Sequence, residues 1–166
     1  MSFWYTTKDK DGKTAIVSTD VVGAFILFIA VMGIVAAVVI PNFILYQAKA
    51  RQAEAKTNLG VIWVKEHEFF QEHKRYGTFE EIGFSIPGKL NRYTYRIDVS
   101  GRPGTVIPGK DGTVTPDNTV VPAGFSATGF TATATANLDN DSTLDQWHVN
   151  DQKQGLGKAD VGDVTN

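Results

Sequence analysis

The sequence predicts an α+β protein in which a long, bent N-terminal helix packs its second half against a small antiparallel sheet. Three observations carry this expectation. No charged residue occurs from Val21 to Ala48, a run of strong helix formers follows, and the last third of the chain contains short alternating segments separated by glycines and prolines.

Taken in order, residues 1–20 form a polar N-terminal segment or atypical leader. Lys8, Lys10 and Lys13 are balanced there by Asp9, Asp11 and Asp20, and Trp4 and Tyr5 are residue types suited to a membrane interface. Residues 21–45 are almost wholly apolar apart from Asn42. At the helical rise these residues extend about 38 Å, against a bilayer core of about 30 Å, so the stretch is long enough to cross a membrane with some tilt. It is too long for a core helix in a chain of this size, and it lacks the small-residue cleavage site of a secretory signal at its end. The lysines and arginines that follow the span do not differ enough from those preceding it to set its orientation.

Beyond the span, YQAKARQAEAKTNLGVIWVKEHEFFQEH is dense in good helix formers and continues the helix to about residue 73. Ala48, Ala55, Leu59, Ile62 and Phe69 or Phe70 recur at helical spacing, with Gln52 and Glu66 interrupting the stripe. Pro41 removes one backbone hydrogen bond and bends the rod, and Gly33 adds a second soft point. Residues 46–166 form the head. Tyr93–Ser100, Phe130–Leu138 and Gln146–Val149 alternate as strands, giving three or four in all. Residues 101–124 hold four prolines and five glycines, which makes them a long surface loop or a local insertion. The last dozen residues are expected to fray.

Several function classes drop out. A net charge of −2 without a basic stripe does not suit nucleic acid. The absence of cysteine removes disulfides, zinc ribbons and thiol chemistry. His67, Glu68 and His73 superficially suggest a zinc-protease helix, but six residues turn a helix by roughly 240°, so the two histidines point to different faces. The stretch from Gly104 to Asp111 lacks the Ser or Thr of a phosphate loop, and Glu80 and Glu81 have no base or nucleophile nearby in sequence. No catalytic constellation is expected.

The segment from Ile40 to Ile62, IPNFILYQAKARQAEAKTNLGVI, resembles the part of type IV pilins that carries the chain out of the membrane, including the helix-bending proline. GFTATATANLDNDSTLDQWHV looks like the C-terminal strands of delta-proteobacterial-type pilins. The resemblance implies a structural subunit of a type IV pilus or type II secretion pseudopilus. Its partners would be other pilin-like subunits, the lipid bilayer and an assembly platform, and it would sit in the bacterial inner membrane with a periplasmic head, or in an extracellular filament once assembled. Adhesion and protein secretion are roles of such assemblies. Gly23, Ala24, Ala30, Gly33, Ala36, Ala37 and Pro41 are the expected helix-packing residues, because small side chains allow close approach where lipid gives no hydrophobic drive.

Two family features are missing. With Pro41 aligned, the cleavage Gly falls at Thr19 and the membrane Glu at Ala24. A carboxylate in the bilayer persists only when paired, and its family partner is the new N-terminal amine. The joint absence is consistent with an uncleaved or unusually cleaved pilin-like chain, and the alternative is a membrane-tethered periplasmic binding module. Asp139, Asp141 and Asp145 stand at offsets 0, 2 and 6, a spacing that suits calcium better than magnesium, and some secretion pseudopilins hold calcium in a loop of the head. The same residues would also serve an ordinary polar turn.

Overall fold

The computed structural model describes residues 4–8, 10–87, 91–112, 114–115, 119–138 and 143–162. It divides into two compact units, Met1–Ile44 and Leu45–Asn166.

In the first unit, β1 (Trp4–Lys8) and β2 (Thr14–Ser18) pair antiparallel, with Trp4 opposite Ser18 and Lys8 opposite Thr14. The reading of residues 1–20 as a polar segment or atypical leader does not include this hairpin. Its signal is present in WYTTK and TAIVS, rich in aromatic and β-branched residues, on either side of an Asp11-Gly12 turn pair. The charges of the connection obscure it. Helix α1 starts directly after β2 and runs Thr19–His73, through Pro41.

In the second unit, α1 carries a buried stripe of Ala55, Leu59, Ile62 and Glu66, all fully inaccessible. The helix stops at Lys74, whose φ of +56° breaks the repeat. A five-stranded antiparallel sheet follows: β3 (Thr94–Arg96), β4 (Val106–Ile107), β5 (Gly124–Phe125), β6 (Phe130–Ala136) and β7 (Asp145–Asn150). β6 is its centre, flanked along its length by β7 and on the other side by β3 and β5 in turn.

The TATATA sequence of β6 gives the sheet two different faces. Ala134 lies opposite Tyr95 on one side and Trp147 on the other. Residues directly opposite share a face, and both aromatics touch α1, Tyr95 through Asn58 at 2.8 Å and Trp147 beneath the Lys56 ammonium. The alanines therefore form a shallow trough beneath the helix. The threonine face holds Thr94, Thr133 and Thr135 and is covered by the chain between β3 and β5. Thr94 Oγ1 accepts from Gly109 and Thr115 N–H, Arg96 donates to the Thr115 carbonyl, and Gln146 Oε1 accepts from Val120 N–H at 3.0 Å. The expected surface loop is thus a cover that buries threonines, with β4 inside it and β5 at its end.

The chain end is also held, contrary to the expected fraying, as far as residue 162. Val161 bridges to Gln146 on β7, and His148 Nδ1 lies 2.7 Å from Asp160. Gly155, at φ +97°, passes so close to β7 that a Cβ would stand 2.3 Å from the His148 carbonyl oxygen.

Candidate functional site

The first candidate is the apolar part of α1. Val22–Ile40 has a mean hydropathy of 2.9, and none of its residues is buried. Phe25, Leu27, Ile34 and Val38 are each at least 60% exposed, which for large side chains in water would be costly. Asn42, the polar residue of the stretch, turns its Nδ2 back to the Val38 carbonyl at 3.0 Å. It thereby satisfies its donor within the helix, as a nonaqueous setting requires.

The small residues do not fall evenly around this helix. At about 100° per residue, Gly23, Ala30, Gly33 and Ala37 lie within an arc of about 80°. Ala36 flanks that arc, and Ala24 lies about 120° from Ala30. A Cβ at Gly23 or Gly33 would meet nothing within 4 Å, so neither glycine is required by packing inside the chain. Pro41 follows the small-residue arc on the same helix.

The second candidate is the acidic loop. Asp139 and Asp141 lie outside the described residues. Asp145 is fully buried at the start of β7. Its Oδ1 accepts from Gln52 Nε2 at 2.9 Å, and its Oδ2 accepts from the Tyr93 hydroxyl at 2.6 Å and the Trp147 indole N–H at 2.5 Å. These bonds tie α1, β7 and the tyrosine that leads into β3 to one carboxylate. Burial first, then the Asp145 acceptor, push the Tyr93 hydroxyl far above the usual phenol range, keeping it a donor.

A parallel arrangement sits one turn along. Glu54 Oε1 accepts the Arg92 N–H at 2.9 Å and lies 3.4 Å from the Tyr95 hydroxyl, which also accepts from Asn58. Burial raises the Tyr95 hydroxyl as well. Arg51 adds a bond to the Leu138 carbonyl at 2.8 Å. Sequence reasoning missed this polar seam between helix and sheet. Gln52 is its signal in the sequence, as a polar residue interrupting the apolar stripe.

The zinc-like histidines separate as their spacing requires: His67 stacks on Trp63, and His73 stacks on Phe69. Glu81 exchanges bonds with Thr78 and pairs with Arg75 at 2.7 Å, which holds its carboxyl down at about 2. These groups organise a turn. Among the described residues no cluster of three or more His, Asp or Glu side chains is arranged to hold a metal ion.

An exposed apolar helix that continues as the buried helix of a helix-on-sheet head defines a pilin-like α+β protein. Over 75 residues the chain is 47% identical to the type IV major pilin protein PilA of Myxococcus xanthus (strain DK1622). That match covers 45% of this chain and 34% of the relative, so it spans about a third of the curated protein. The relative stands in the family that the sequence resembles. No protein-family model matches the chain.

Proposed function

We propose that this protein is a structural subunit of a type IV pilus-like or type II secretion pseudopilus-like assembly, held in a membrane and joined to other pilin-like subunits through the apolar part of α1. The observation that carries the proposal is Val22–Ile40, apolar throughout and unburied in its own chain, in a protein similar to a major pilin. A helix apolar all round requires burial in lipid or among other helices. The four small residues on one arc supply a close-approach face between such helices. In this proposal the head lies on the periplasmic side of the bacterial inner membrane and becomes extracellular on assembly, and an assembly platform is a further partner.

The chain lacks cysteine, which makes the test direct. Single cysteines in place of Ala30, Ala37 or Ala24 are oxidised in native membranes. Crosslinked pairs at Ala30→Cys and Ala37→Cys, with few at Ala24→Cys, are the expected result. An absence of crosslinks at all three positions would reject assembly through this face and favour the membrane-tethered binding module. Calcium held by Asp139, Asp141 and Asp145 is a separate proposal with its own test, given in the Discussion.

A further inference from the structure

Glu66 closes the buried stripe of α1 and is fully inaccessible. Its Oε2 accepts the Gly77 N–H at 3.1 Å, while Oε1 has no hydrogen-bond partner among the described residues. A buried ionised carboxylate needs several donors, and one N–H leaves the charge poorly compensated. Gly77 permits the contact because a Cβ there would stand 3.0 Å from Phe69 Cε1 and 3.2 Å from Glu81.

The charged groups around it do not repair the deficit. From the turn after the helix, Arg75 and Glu81 both face Glu66, but the Arg75 guanidinium is already paired with Glu81 at 2.7 Å. Tyr76, also buried, feels the charges of Asp151, just past the end of β7, and of Glu66. Glu81 and Asp151 thus add negative charge at this corner, the Arg75 guanidinium is engaged with Glu81 and half-exposed, and Lys65, beside Glu66 on the helix, sends its ammonium to the Ile82 carbonyl instead.

We propose that Glu66 is an acid-tightened latch, which when protonated seats the turn of residues 74–84 against the end of α1 and when ionised loosens that turn while the sheet keeps its packing. Burial above all, with a smaller push from Glu81, raises its carboxyl to about 7 from the ordinary 4.5. Between those two values the folded chain holds a proton that the unfolded chain has released. Stability contributed by this group therefore falls as pH rises through that window and levels off above it. This slope is opposite in sign to that of an ion-paired carboxylate such as Glu81.

The test uses the full chain in nonionic detergent, unfolded thermally from about pH 5 to about pH 8. The wild-type midpoint should fall by several degrees across that range, and Glu66→Gln, which keeps an acceptor for Gly77, should remove most of the slope. Histidines also change charge in this window, so the difference between the two proteins is the readout. Amide exchange at Gly77, corrected for intrinsic rate, should lose protection several-fold in the wild type and stay constant in the variant, while β6 amides stay protected in both. An equal slope in both proteins, or loss of β6 and Gly77 protection together, overturns the latch. Should Glu66→Gln not fold, carboxyl NMR of wild-type Glu66 decides: a midpoint near 7 supports the latch and one near 4.5 rejects it.

Discussion

Between Val22 and Ile40, helix α1 buries none of its residues, whereas between Ala55 and Glu66 it buries one residue every third or fourth position. The backbone repeat is the same in both stretches. The difference lies in who supplies the partner. A helix that packs on its own chain needs only one apolar stripe and keeps its other faces polar. A helix that is apolar all round relies on an environment from outside the chain. The polar groups follow the same division. Asn42 bonds within its own helix, whereas Gln52, Glu54 and Asn58 reach across to the sheet.

The comparison is broken most severely by emptying the buried stripe. Leu59→Ala should destabilise the head by about 3 kcal/mol, within the usual range for a buried leucine. Ile34→Ala, on the exposed stretch, should leave the head's thermal unfolding unchanged. Equal effects would mean that the two stretches share one core. Val31→Arg is next, since a cation at mid-bilayer costs about 2.5 to 3.5 kcal/mol on insertion scales. It should lower the fraction retained in the membrane pellet through carbonate washing, and retention at the wild-type level argues against membrane residence.

Asp145→Ala follows. It strips an acceptor from Gln52, Tyr93 and Trp147 and should cost about 2 kcal/mol, with a change in Trp147 fluorescence. If the loop also holds calcium, ten times the dissociation constant should add about 1.4 kcal/mol to the parent and nothing to Asp141→Ala. Identical midpoints in millimolar calcium and in chelator reject the ion. The smallest expected effect is that of Gly33→Leu, on the order of 1 kcal/mol of helix association by overpacking. It should appear as reduced crosslinking at Ala37→Cys with an unchanged head.

The long helix and the three main strands are legible in the sequence because their periods extend over many residues. Ala55, Leu59 and Ile62 mark the buried face, and FTATATA marks the central strand. β4 and β5 have two residues each, too short to show any period. β4 pairs with β3 and β5 with β6, while Gly109, Thr115 and Val120 between them are held by bonds to Thr94, Arg96 and Gln146, which local pattern does not encode. The hairpin of β1 and β2 is hidden for another reason, since KDKDGK gives its connection the texture of a solvated leader. For the candidate site, the apolar span and its small residues are legible, but their arc emerges only from helical geometry. Asp145 carries a second role that its place in the aspartate spacing does not announce: it opens strand β7, and its carboxylate is buried against Gln52, Tyr93 and Trp147.

The clasp formed by Gly155, Asp160 and Val161 over β7 has a consequence for crowding. A protein gathered at high local density, as in the plane of a membrane, risks joining its neighbours through open strand edges, the first step of amyloid-like stacking. β7 is a full-length strand beside the sheet's centre, and an uncovered edge there would offer a template for another molecule. By laying its own C-terminal segment along that edge, the head blunts edge-to-edge aggregation at β7.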